Sequence, residues 1–137
     1  MRVRFRKSPE GGRHVVHCIR DDGTESYGRI PPHPGIPHDL IHFVVEKTLG
    51  LRRAFFGPIA SGIAVPDAAD AWKTLPPKDR AEAALAEVVV AWFQAPGARG
   101  EPPPIPVATL ATIETELEAL HARWLALAAK ETLEVEF

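Results

Sequence analysis

Two histidines four positions apart on a predicted helix are the residues of this chain best suited to chemistry. His38 and His42 fall within residues 37–46, where four side chains able to bind a metal or move a proton are interleaved with apolar residues. Residues four apart lie on one helix face, one turn from each other. That spacing lets a helix offer two imidazole nitrogens to one transition metal. The segment therefore predicts a divalent transition metal such as zinc, bound by His38 and His42.

The carboxylates of Asp39 and Glu46 are the nearest candidates for a catalytic base or an additional ligand. Helix rise separates His38 from His42 by about 6 Å and from Glu46 by about 12 Å. Ligand atoms of one metal gather within roughly 3–4 Å of each other. The sets compact enough to share one metal are therefore His38 with His42, or His42 with Glu46. Asp39 is at the limit of the distance from which it could join them. A third protein ligand must come from elsewhere, and we expect His121 first, with Glu114, Glu118 and His33 as alternatives.

Ordinary structural roles are the alternative interpretation of the same side chains. Asp39 lies in the first helical turn, where a carboxylate favours the helix dipole and accepts from a free N–H. His42 is then a half-buried histidine bonded to the backbone, and Glu46 pairs in the neighbourhood of Lys47 or faces solvent. Under this interpretation the protein is a non-catalytic structural or interaction protein that self-associates through helix faces. The metal interpretation instead predicts a metal-binding protein or a small metal-dependent hydrolase.

The five residues from His38 to His42 resemble two known metal motifs. They are similar to the H-E-x-x-H of zincin metallopeptidases, with Asp39 in place of Glu. They also resemble the H-D-x-x-H of a family of ubiquinone-biosynthesis proteins associated with metal binding, which carries a Glu at the position of Ala54. Both resemblances imply a bound metal. A wider pattern is similar to segments of small uncharacterised bacterial proteins: Pro37-His38-Asp39-Leu40-x-His42-Phe43-x-Val45-Glu46, then Leu49-Gly50-Leu51 and Phe55-Phe56-Gly57.

Other catalytic chemistries lack their motifs in this sequence. Ser61 stands in Ala-Ser-Gly, outside a G-x-S-x-G elbow, and no Gly-rich phosphate loop is present. Cys18 is the single cysteine, so an internal disulfide is excluded. Its position on a predicted strand indicates a buried, unreactive thiol.

Composition indicates a small globular protein of 137 residues with one core. The net charge of −2 argues against generic nucleic-acid binding, which needs a basic face. The early arginines alternate with Val3 and Phe5, as on the outer face of a half-buried strand. We expect no signal peptide and no membrane span, hence a cytoplasmic location. Richness in Ala, Arg, Pro and Gly favours a bacterial source.

The predicted fold is α+β, with a small N-terminal antiparallel sheet packed against three to four helices in a single domain, 1–137. Alternation and the Asp22-Gly23 turn predict a β-meander over 1–30. Helices are predicted at 37–50, 79–94 and 107–130, with a Pro-rich linker at 95–106 and a candidate fourth strand at 133–137. The last helix carries a heptad seam that suits internal packing or, as the alternative, a homodimer: Leu110, Ile113, Leu117, Leu120, Trp124 and Leu127.

Overall fold

A four-stranded antiparallel sheet forms one layer of the molecule. In the computed structural model, which describes residues 1–33, 35–95, 97 and 100–137, the strands are β1 (Arg2–Arg6), β2 (His14–Ile19), β3 (Glu25–Ile30) and β4 (Thr132–Glu136). Their order is β3-β2-β1-β4, so the C-terminal strand pairs with the N-terminal one. The predicted meander and the candidate fourth strand are thereby confirmed, as is the α+β class.

Alternation along β1 decides which face of the sheet is buried. Val3 and Phe5 are fully buried, and they lie opposite Cys18 and Val16 of β2. The arginines between them point to the other face, where Arg4 donates to Glu134 of β4 at 2.6 Å. Because the side-chain period of a strand is two, one apolar series is enough to orient the whole ladder.

Helix α1 (His38–Leu49) packs against both of the other long helices. It begins directly after Pro37 and ends at Gly50, whose φ of 66° is the left-handed conformation that glycine adopts readily. All residues from 40 to 46 are buried. A helix that is buried nearly all round belongs to the centre of a core, and Phe43 contacts Phe5 of the sheet edge-on, with ring centroids 6.3 Å apart.

The chain then folds back over α1 through two short helices. These are α2 (Phe56–Ala60) and α3 (Val65–Ala71), followed by single 3-10 turns at Trp72–Thr74 and Pro77–Asp79. The N–H of Val65 donates to Ser26 Oγ at 2.9 Å, which ties the start of α3 to β3. Gly57 opens α2 against the backbone of Arg52, where a Cβ would overlap main-chain atoms.

Helices α4 (Ala81–Gln94) and α5 (Val107–Ala126) complete the second layer. The seam of α5 is buried within the chain, including Leu117, Leu120 and Trp124. The helix ends earlier than the predicted residue 130, because Leu127 is extended and the chain turns at Lys130, with φ 73°, to pair with β1. Positions 34, 96, 98 and 99 lie outside the described residues, so the predicted linker at 95–106 is described only in part. In the described part of the chain, no helix is both long and apolar enough to cross a membrane.

Candidate metal centre

The two predicted histidine ligands converge at the contact between α1 and α4. His38 and His42 project from one face of α1, and their Nε2 atoms lie 3.1 Å apart. Glu87 of α4 places Oε1 3.6 Å from Nε2 of His42. In the described part of the chain, these three residues form a group whose ligand atoms all lie within 4.8 Å of one another. The group could hold a metal ion with two imidazole nitrogens and one carboxylate oxygen.

The other nitrogen of each imidazole is held from behind by an acceptor. Nδ1 of His42 lies 3.2 Å from Oε1 of Glu46, one turn further along α1. Nδ1 of His38 lies 2.8 Å from Oε1 of Gln94 at the end of α4. Metal-binding histidines in proteins almost always donate their second N–H to such a partner, which fixes the tautomer and the ring orientation.

Glu46 is the most deeply buried charged residue of the site, with no exposed surface. Its carboxylate accepts from the N–H of Phe55 at 3.0 Å and from the N–H of Phe56 at 2.8 Å. The same group contacts the imidazole of His42, so three donors surround it. Buried carboxylates are tolerated when hydrogen bonds replace their hydration. Glu46 therefore holds the segment of Phe55 and Phe56 against α1. It also orients the His42 ring by contacting Nδ1, on the side of the ring away from Nε2.

The contact with Glu46 sets the hydrogen-bond direction at His42, whereas the direction at His38 depends on how the Gln94 amide is turned. An ionised carboxylate only accepts, so Nδ1 of His42 is the donor towards Glu46 and its Nε2 carries a lone pair. If Gln94 presents its amide oxygen, Nδ1 of His38 also donates, and its Nε2 carries a lone pair too. Two lone pairs 3.1 Å apart repel each other unless a cation lies between them. Turning the Gln94 amide around gives the competing arrangement, in which His38 Nε2–H donates to His42.

Asp39 lies beside this group, on the wall of a hollow of about 130 Å³. His38, His42 and Glu87 line one part of the hollow, and Phe55 and Trp72 are among the residues that line the rest. Burial raises the pKa of Asp39, while His38 and His42 act in the opposite direction. The side chain that the sequence nominated as a base thus shares a cavity with the candidate ligands.

The predicted third ligand, His121, belongs to a different hollow. That hollow lies around the end of α4, and His121 shares it with Glu118, Glu114 and His33, the other residues considered for this role. Gln94 lines the same hollow while it contacts His38 with its side-chain oxygen. The structure therefore brings Glu87, rather than His121, to the paired histidines.

Glu87 and Gln94 were not among the residues that the sequence suggested. A signal for Glu87 is present, because it is the single charged or polar residue within 83–93 of the chain. Glu87 and Gln94 are also seven apart, so they share one face of α4 over two turns. Because His38 meets Gln94 and His42 meets Glu87, α1 and α4 run antiparallel along this contact.

No protein-family model, no curated protein and no solved structure matches the chain.

Proposed function

We propose that this protein is a small metal-dependent hydrolase whose divalent ion, zinc, is bound by His38, His42 and Glu87. The observation that carries the proposal is the 3.1 Å approach of two imidazole Nε2 atoms whose Nδ1 atoms are both engaged. Ligands about 2.0–2.1 Å from one zinc ion, at ordinary coordination angles, lie roughly 2.8–3.4 Å apart. The separation of the two histidines falls within that range.

The donor set supports zinc and hydrolytic chemistry. Two histidines and one glutamate are a ligand set of catalytic zinc sites, which keep a further position open for water or substrate. When bound, such an ion acts as a Lewis acid that polarises an acyl oxygen and activates water. Glu87 supports this arrangement because its side chain is 60% exposed, so the carboxylate has room to adjust towards an ion.

The remaining polar residues of the site have distinct roles in this proposal. Glu46 and Gln94 are positioning residues, because each contacts the imidazole nitrogen that faces away from the paired Nε2 atoms. Asp39 is the proton acceptor, because it lines the hollow next to the ligands. Glu46 is less suited to that role, since backbone N–H groups and His42 already occupy its oxygens.

The test is metal binding by tag-free protein stripped with a chelator and titrated with zinc in a calorimeter. We expect one zinc per chain, with affinity that weakens as the pH falls, because binding requires neutral imidazoles. Free zinc at a hundred times Kd adds about 2.7 kcal/mol to the free energy of unfolding. His42→Ala and Glu87→Gln should lose most of this affinity. Asp39→Asn should keep zinc but lose roughly 100-fold or more of any ester hydrolysis.

Glu118→Gln and His121→Ala are the matched controls, because both residues lie in the other hollow. They should bind zinc like the wild type. Equal zinc binding by His42→Ala and the wild type would contradict the site. Selective binding of ferrous iron would instead overturn the choice of metal, since two histidines and a carboxylate are also the ligands of non-haem iron oxygenases.

A further inference from the structure

The hollow beside the candidate ligands has two chemically different parts. One part carries the polar group of His38, His42, Glu87 and Asp39. The rest is apolar, with alanines that come from three separate segments of the chain: Ala54, Ala68, Ala69 and Ala83. A ligand that fills this space must therefore combine a polar end with a small apolar end.

The alanines are what leaves the space open. Ala54, Ala68 and Ala83 are buried at its floor, and Ala69 is exposed at its rim. Because interiors are close-packed, four methyl side chains converging at one place preserve a cavity that larger residues would fill. Phe55 forms part of the wall and lies 5.8 Å from the His42 ring, centroid to centroid. The wall is thus fixed close to the candidate ligands.

The size of the hollow restricts what fits. Its volume of about 130 Å³ is well below that of sites that enclose drug-sized ligands, which are roughly 300–1,000 Å³. A short aliphatic chain fits such a space, whereas a nucleotide or an extended peptide does not.

We propose that the hollow holds the acyl chain of the substrate and selects short-chain acyl esters or amides. This inference rests on the proposed function, since the acyl carbonyl must face the ion bound by His38, His42 and Glu87. In the reaction, the oxygen of water bonds to the acyl carbon, and the bond from that carbon to the leaving oxygen or nitrogen breaks. The leaving atom takes up a proton from the water, so the products are the short-chain acid and an alcohol or amine.

The test uses a series of alkyl hydroxamates, whose polar end binds zinc and whose chain reports on the hollow. Dissociation constants are measured on zinc-loaded protein with the two-, four- and eight-carbon members. We expect the four-carbon compound to bind roughly ten times more tightly than the two-carbon one, because each buried methylene adds a factor of about four. The eight-carbon compound should lose that gain, because its chain is too long for the hollow.

Ala69→Leu fills the hollow from its exposed rim without disturbing the core. This substitution should raise the dissociation constant of the four-carbon compound at least tenfold, while zinc and the two-carbon compound bind as before. Ala84→Leu is the matched control, because Ala84 is exposed on α4 and outside the hollow. Trp72→Ala should admit the eight-carbon compound.

Two results would overturn the acyl-chain proposal while leaving the proposed zinc site intact. The protein could bind zinc but show no preference for chain length, or Ala69→Leu could leave the binding of the four-carbon compound unchanged. Protein that takes up no zinc overturns the proposed function and, with it, this inference.

Discussion

At the scale of single residues, the site is organised by acceptors placed behind the two imidazoles. Glu46 has no exposed surface and connects three donors, namely two backbone N–H groups and His42. A side chain in that position sets the orientation of His42 and the position of the returning segment together. Any effect of Glu46 on the proposed zinc ion is therefore indirect, through the imidazole ring that it orients.

Glu46→Gln tests the hydrogen bonds of Glu46 without changing the size of the side chain, because the amide has nearly the same volume as the carboxylate. One of its two terminal atoms becomes a donor and must face an N–H group, which leaves buried donors without acceptors. We expect the free energy of unfolding to fall by about 1–3 kcal/mol and zinc affinity to fall by about 10- to 100-fold. Urea denaturation and zinc titration measure the two effects. Glu118→Gln, on an exposed residue, should change neither; unchanged zinc affinity in Glu46→Gln would contradict the positioning role.

Cys18 gives a second prediction at this scale. Burial raises the pKa of its thiol to about 12 from the model-compound value of 9.0. Because the folded-state pKa is the higher one, the unfolded chain loses this proton first as the pH rises. The stabilising contribution is thus fully present below pH 9 and is lost above it. We expect the unfolding free energy of the wild type to fall more steeply between pH 9 and 11 than that of Cys18→Ala. Parallel pH profiles of the two proteins would show that the thiol is not buried in this way.

At the scale of elements, the site depends on the turn that returns the chain over α1. The N–H groups of Phe55 and Phe56 reach Glu46 only because Gly57 lets the start of α2 approach the backbone of Arg52. Helix α4 supplies the other half of the site from one face, with Glu87 and Gln94 two turns apart. Two contacts of α1 are therefore needed to hold both imidazoles: one with the turn at Phe55 and Phe56, and one with α4.

Gly57→Ala tests the dependence on this turn. The new Cβ would overlap main-chain atoms of Arg52, so the segment that carries Phe55 and Phe56 must move. We expect a loss of about 1–3 kcal/mol in the free energy of unfolding, together with weaker zinc binding because Glu46 loses its donors. Gly100→Ala is the control, since a Cβ there meets open space. If Gly57→Ala bound zinc with wild-type affinity, the proposed site would not depend on this turn.

At the scale of the whole molecule, the sheet and the helices share one core. The seam of α5 faces α1 and the sheet, and Leu117, Leu120 and Trp124 lie in the same cluster as Phe5 and Phe43. A helix seam that is already filled by its own chain is not available for a coiled-coil partner. The internal alternative for the heptad pattern is the one that the packing favours.

Leu117→Ala distinguishes internal packing from a dimer seam. In the folded chain Leu117 is 7% exposed, and we expect the substitution to cost about 2–5 kcal/mol in the free energy of unfolding. The mass measured by light scattering should equal that of the wild type at every protein concentration. Leu125→Ala is the matched control on the same helix, because Leu125 is 61% exposed, and its effect should stay within about 0.5 kcal/mol. A wild-type dimer that dissociates in Leu117→Ala would favour the interaction-protein alternative.

Patterns with a short period were sufficient to predict most of the architecture. The alternation around Val3 and Phe5 predicted the buried face of the sheet, and the heptads of α5 predicted its buried stripe. These signals are local, because a strand repeats every two residues and a helix every 3.6. The pairing of His38 with His42 was predictable for the same reason, since one turn of helix separates them.

Tertiary packing decided the positions of Glu87, the proposed third ligand, and of the Gln94 amide. Glu87 lies 45 positions beyond His42, and Gln94 lies 56 beyond His38. No helical or strand period relates residues that far apart, so His121 on another helix was an equally consistent choice from the sequence. Only the antiparallel contact of α1 with α4 brings Glu87 and Gln94 to the imidazoles, because the apolar surfaces of both helices must be buried against each other.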